Sequence, residues 1–427
     1  MKYLIGLDIG TSSVKGVLMS EKKDIIKSIT KQHKYYFESD LKLLDADLFC
    51  DNCIDVIREL SCGVNGNIIA LCASGASGNL MLKGRENSPI YSWQNEFDDK
   101  IIDKYLENYS ASDIYKIIGW PKLNSFPLSV LCYLKDINPD LIKSADNVCM
   151  SIEYLNYRLT GQWGITVSMG TPFYLINQEK RKYHKDFLEI FGITEDKLPP
   201  IMENYSVLGT LTKEASEKTG LSVDTKVVLG TFDHPSAARG AGVFTTDEVL
   251  LSCGTSWVSL ILFKERKAPF DKELLIDPFM SPNGMWCGMK SLPSIAESID
   301  RCKEKYFDSI SYEEFDELVS KSYLGANGVI VDIDNPSELP TNIEKCHIAR
   351  AIAEGAARKL CEMLDELEIS VTKLKIVGGI TKSKEWLKVI SEVCHKEIEV
   401  VNGECAGAAG AALMAGVGTK IFDVERV

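Results

Sequence analysis

Two short stretches of this chain join an apolar run to Gly-Thr-Ser. Residues 5–13 read Ile-Gly-Leu-Asp-Ile-Gly-Thr-Ser-Ser, and residues 250–256 read Leu-Leu-Ser-Cys-Gly-Thr-Ser. Strand-forming residues follow each, Val14 to Met19 and Trp257 to Phe263, so each stretch is expected to be a hairpin whose tip exposes backbone. Glycine lets an oxygen-rich ligand approach the main chain, and the hydroxyls add donors. One such tip is an ordinary turn. Two, one in each half, are expected to grip a polyphosphate between the halves of a duplicated fold. Asp8 stands at the end of the first strand, placed to hold a hydrated Mg²⁺ that bridges phosphate oxygens, or to cap the turn. The repeat favours the metal role. Asp233 follows the apolar run 226–230 and precedes a small-residue helix. At the carboxyl end of a strand it could take the proton of an attacking hydroxyl in phosphoryl transfer, help worth roughly 10²–10⁴-fold in rate. An N-cap role is compatible with that one. His234 is open between a substrate-facing donor and a packed imidazole.

A third segment, Ile376-Val377-Gly378-Gly379-Ile380-Thr381-Lys382-Ser383-Lys384, reads as a strand, a diglycine turn and a helix start. Glycines there would let a flat adenine ring lie on the backbone, with Ser383 or Lys384 in contact. The elements that must hold these residues alternate between strand and helix. Helices are expected at 46–60, 98–109, 111–118, 127–135, 151–159, 346–367 and 407–414, and strands at 67–73, 226–230, 249–253 and 374–377. That places the chain in the α/β class. No P-loop motif and no strict dinucleotide fingerprint occurs.

At 427 residues and 45% hydrophobic, the chain suits two domains, joined near residues 243–248. A net charge of −13 disfavours nucleic acid and anionic membrane as partners. No apolar run reaches membrane-spanning length. Thirteen scattered cysteines do not read as a disulfide framework, and a reducing cytoplasm is the expected location. Cys50 and Cys53 share helical spacing with Ile54 and Ile57, so they are expected on a packed helix face instead of a metal.

These residues, with Ser92-Trp93-Gln94, Gly119-Trp120-Pro121, Tyr157–Gly161, Ala349–Ala356 and Gly407–Gly416, resemble the FGGY family of carbohydrate kinases within the actin-like ATPase superfamily. The resemblance implies two ribonuclease-H-like domains flanking a deep cleft. Residues 1–244 would carry the sugar site and first phosphate loop, and 245–427 the second loop and the adenosine site. It implies ATP and Mg²⁺ as cofactors and a small sugar or polyol as substrate. Asp8 and Asp233 would serve the metal, and Asp233 would be the base. Gly10, Thr11, Ser12 and Lys15 would meet the phosphates, with Gly254 and Thr255 as the second loop. Gly378, Gly379 and Ser383 would hold adenosine, and the sugar would lie near Ser77, Trp93, Gln94, Asp233 and His234. A homodimer is an assembly open to such a kinase. Departures from the family pattern at Gly75–Gly78, Asn95, Asp233-His234-Pro235 and Val329–Pro340 bear on the sugar, with ketoses such as pentuloses and hexuloses first and glycerol or another polyol as the alternative. A non-kinase actin-like ATPase, or a phosphatase using water as acceptor, would lack sugar-stimulated ADP release.

Overall fold

A computed structural model describes residues 1–279, 284–401, 403 and 405–424. The first apolar run forms the strand Tyr3–Ile9, which turns through Gly10–Ser12 into Ser13–Ser20. The pair is antiparallel, with Asp8 opposite Lys15 and Ile9 opposite Val14. Ile25–Gln32 continues the meander and is largely exposed, with Lys27 and Lys31 protecting this open edge. On the other side of Tyr3–Ile9 run Ile68–Gly75 and Lys226–Phe232, both parallel to it in sense, and Val207–Thr210 closes the sheet antiparallel. The central strands are covered on both faces, and so read as unbroken apolar runs instead of alternating ones.

Helix Ala46–Ser61 starts where Asp45 accepts from the Asp47 and Leu48 amides. Its buried face carries Cys50, Cys53, Ile54 and Ile57, so the two cysteines pack as the helical spacing predicts. The Ala/Gly helix Ala406–Gly418 joins the same unit from the far end of the chain. Absent side chains let it lie against backbone: a Cβ at Gly6 would run into the Ala408 carbonyl, and one at Gly410 into the Ser236 carbonyl.

A second sheet orders Trp286–Leu292, Trp257–Phe263, Glu248–Cys253, Lys373–Gly378 and Glu397–Val400. Glu248–Cys253 and Trp257–Phe263 are antiparallel, while Lys373–Gly378 and Glu397–Val400 are parallel additions. An antiparallel meander extended by two parallel strands thus occurs twice, the plan of a duplicated ribonuclease-H-like, actin-like ATPase fold. The long helix Lys345–Glu366 buries an Arg350–Glu354 pair at 2.8 Å and ties Arg350 to Glu392 on helix Lys384–Cys394.

Two compact units emerge from the packing. The first takes Met1–Gly242, Lys264–Cys287 and Cys405–Val427, and the second Val243–Phe263 and Gly288–Glu404. Several details differ from the sequence expectations. The 98–109 helix is Asp99–Leu106, because Asp98 turns its side chain to the Lys100 amide as the cap. Asp233 is the first helical residue and Phe232 the N-cap. Cys361 and Cys394 are bridged, while the other eleven cysteines are free thiols, so the chain has one crosslink and no framework.

Candidate active site

In the first unit the Gly10–Ser12 tip is held from several sides. Gly10 N–H donates to the Ser13 carbonyl at 2.9 Å, and His33 N–H to the Ser12 carbonyl at 2.8 Å. Tyr35 OH donates to the Thr11 carbonyl at 2.6 Å, and Trp93 Nε1–H to Thr11 Oγ1 at 2.9 Å. Trp93, expected on the sugar side, therefore touches the loop expected on the phosphate side. Ser77 is 2% exposed and donates to the Met169 carbonyl at 3.0 Å, so its hydroxyl already has a partner inside the fold. Gln94 lies at the surface, its Oε1 accepting from Lys42 Nζ at 2.6 Å.

Asp8 sits between Lys15 across the hairpin and Ser74 on the parallel neighbour. Burial pushes its carboxyl up to about 7, the charge of Asp233 adds to the rise, and Lys15 opposes it. The fold thus brings together two acids that are 225 positions apart by number (233 − 8). Gly407, in the first turn of Ala406–Gly418, has no room for a Cβ because it would strike Asp8 Oδ2. A helix N-terminus beside an acid favours its ionised form and favours other anions. Asp233 Oδ1 accepts from His234 N–H at 2.7 Å, which fixes the carboxylate at the head of its helix. His234 stays part-exposed, its ring 5.7 Å edge-on from Phe232.

The donor set suits a divalent cation: both groups offer carboxylate oxygens, and the rise that burial and the charge of Asp233 impose on Asp8 is one that a bound 2+ charge would relieve.

In the second unit Gly254 and Thr255 form an exposed tip, with Gly254 N–H donating to the Ser256 carbonyl at 3.1 Å and the Thr255 carbonyl accepting from Ala296 N–H at 3.1 Å. Gly378 has φ +103, and a Cβ there would strike the Cys253 carbonyl. Only glycine fits. Ser383 caps helix Lys384–Cys394 by accepting from Trp386 N–H at 3.2 Å. Gly254, Gly379, Ile380 and Ser383 line a cavity of about 490 Å³ together with Trp257, Ala296, Ile299, Tyr312, Asp316 and Trp386. Flat apolar walls and a few polar atoms suit a purine. Asp316 Oδ1 is buried with no partner among the described residues; burial raises this carboxyl, and a hydrogen bond with Ser383 opposes the rise.

Residues 3–240 match the N-terminal domain of the FGGY family of carbohydrate kinases, and residues 312–419 match its C-terminal domain. The chain belongs to the FGGY family. It is 24% identical over 448 aligned positions to the xylulose kinase of Bacillus subtilis (strain 168), spanning 99% of this chain and 89% of that protein. In fold it is similar to a ligand-bound xylulose kinase from Lactobacillus acidophilus, with a TM-score of 0.88 and 20% identity over 100% of this chain and 91% of that one. Plasmodium falciparum glycerol kinase with ADP gives 0.87 and 19% over 100% and 93%. This FGGY protein is a carbohydrate kinase, which uses ATP to phosphorylate a sugar. Among the described residues no helix is long and apolar enough to cross a membrane.

Sequence reasoning missed several of these contacts. Tyr35 lies in a short strand with no motif around it, and Asp316, Tyr312 and Trp386 sit on amphipathic helices whose patterns report only a buried face. Gly407 was visible as part of an Ala/Gly run, but its contact with Asp8 was not.

Proposed function

We propose that this FGGY kinase phosphorylates a small ketose, a pentulose such as xylulose first, with Mg²⁺·ATP as donor and Asp233 as general base. The observation that carries the reading is the placement of Asp233 at the head of helix Asp233–Gly240, close enough for its charge to act on Asp8. In the reaction the sugar hydroxyl oxygen forms a bond to the γ-phosphorus, the bond from that phosphorus to the β,γ-bridging oxygen breaks, and the hydroxyl proton passes to Asp233. Mg²⁺, when bound, neutralises charge on the phosphates. Asp8 and Asp233 would hold it.

The sugar site and the first phosphate loop are assigned to the first unit, and the second loop and the adenosine site to the second. Gly10, Thr11, Ser12 and Lys15 contact phosphate in the first loop, and Gly254 and Thr255 in the second. The purine lies against Gly378 and Gly379, with Ser383 beside it. For the sugar, the assigned contacts are Trp93, Gln94 and His234, Trp93 being supported by its bond to Thr11, while Ser77, whose hydroxyl turns inward to the Met169 carbonyl, is left out of the set. Free thiols at eleven cysteines suit a cytoplasmic location, and light scattering would test whether the chain forms the homodimer open to such a kinase. A coupled ADP-release screen across pentuloses, hexuloses, tetruloses, glycerol and other polyols tests the substrate. Turnover with a pentulose is expected to exceed that with glycerol, and a preference for glycerol would overturn the assignment.

A further inference from the structure

Behind Asp233 lies a buried acid that the reaction as described does not use. Asp277 ends the strand Leu275–Asp277 and is fully buried. Its Oδ2 accepts from Ser168 Oγ–H at 2.8 Å, and Ser168 Oγ accepts from Phe232 N–H at 3.1 Å. Phe232 immediately precedes Asp233 and caps its helix.

The backbone here needs outside support. Pairing between Lys226–Phe232 and Ile68–Gly75 shifts register between Leu229 and Phe232. Such an irregularity frees main-chain groups that a continuous ladder would pair. Three hydroxyls take them up: Thr166 Oγ1–H donates to the Gly230 carbonyl at 2.9 Å, Ser74 Oγ accepts from Thr231 N–H at 3.2 Å, and Ser168 Oγ accepts from Phe232 N–H. A serine hydroxyl has one hydrogen and can rotate. To accept from Phe232 it must send that hydrogen elsewhere, and a carboxylate, which only accepts, gives it a direction.

We propose that Asp277 is a positioning residue for Asp233: by orienting Ser168 it pins the Phe232 amide, and with it the point at which Asp233 leaves the strand. This rests on Asp233 being the base. Arg239, on the helix that Asp233 begins, acts on the acid through its charge; it is 1% exposed and donates to Tyr205 OH at 2.7 Å and to the Phe279 carbonyl. Burial pushes the Asp277 carboxyl up to about 7 and the charge of Asp233 adds to the rise, while the bond from Ser168 and the charge of Arg239 oppose it and favour the carboxylate that Ser168 donates to. Asp277 Oδ1 has no partner among the described residues. A buried acid with one orphaned oxygen is a costly way to fill space, and a well-packed apolar residue would serve packing better.

Three variants test the proposal. Asp277→Asn and Asp277→Ala both remove the charge that Arg239 acts on, but only the first keeps an acceptor for Ser168, so their difference reads the hydrogen bond. Ser168→Ala removes the link without touching any charge, and keeps the test open should Asp277→Ala fold poorly. With Mg·ATP and D-xylulose, Asp277→Asn is expected within about 3-fold of the parent kcat, while Asp277→Ala and Ser168→Ala lose roughly 10- to 100-fold at KM values within about 2-fold. The double alanine variant should be no worse than the poorer single one. Hydrogen exchange at amides 232–234, measured without substrates, should quicken in both alanine variants and stay parental in Asp277→Asn. That readout needs no turnover, so a parent inactive on D-xylulose would overturn the sugar assignment and leave this test standing. Parental exchange at these amides in Ser168→Ala, parental kcat in Asp277→Ala, or additive losses in the double variant would overturn the proposal.

Discussion

Asp8 and Asp233 are ordinary carboxylates whose surroundings give them different tasks. Asp233 is held at a helix head by His234 N–H, and Asp8 is pressed between Lys15, Ser74 and Gly407. Asp233→Asn should therefore lower kcat by roughly 10²–10⁴-fold and leave ADP affinity, measured by calorimetry, near parental. A variant with normal sugar-dependent turnover would remove Asp233 as the base. Asp8→Asn should move the Mg²⁺ dependence of the rate to higher concentration, and an unmoved curve would remove its metal role. Glu153 supplies a pH prediction away from the site. It is 1% exposed, its Oε2 has no partner among the described residues, and burial pushes its carboxyl up to about 8. From the ordinary carboxylate range up to about 8 the folded chain keeps a proton that the unfolded chain has released, so this residue makes stability fall as pH rises through that window. Glu153→Gln should raise the urea midpoint more at about pH 8.5 than at about pH 5. An equal change at both would show that Glu153 titrates normally.

Among the helices and turns, glycines serve two distinct purposes, and substitution separates them. Gly410 lies where a Cβ would meet the Ser236 main chain, which has no side-chain freedom to yield. Gly410→Ala should cost about 1–3 kcal/mol of stability through overpacking between Ala406–Gly418 and Asp233–Gly240. Gly379 instead faces open space, with no atom within 4 Å of an added Cβ, and it lines the 490 Å³ cavity. Gly379→Ala should keep the parental melting temperature but raise KM for ATP several-fold, with kcat close to parental. A Gly379→Ala enzyme with unchanged KM would move the purine out of that cavity.

Across the whole molecule the same strand plan is built twice, and each copy ends its first hairpin in a Gly-Thr-Ser tip. A nucleotide that binds the folded chain must stabilise it by mass action, about 2.7 kcal/mol at a hundredfold excess over Kd. Mg·ADP should accordingly raise the melting midpoint, less so in Gly379→Ala at equal concentration; no shift in the parent would argue against a nucleotide site. The parts of this design readable from the amino acids were local ones. Apolar runs marked the central strands, glycine at Gly378 marked a turn that only glycine can make, and Asp8 and Asp233 stood out because each follows such a run. Their order along the chain was enough to recognise the family. What remained hidden depends on residues distant in sequence: Trp93 and Tyr35 closing on Thr11, Gly407 against Asp8, Ser77 turned inward to Met169, and Asp277 reaching Phe232 through Ser168. Backbone preference and hydrophobic period act over a few neighbouring residues, so they set strands and turns. Which side chains meet is settled by how those elements pack, and no local pattern encodes it.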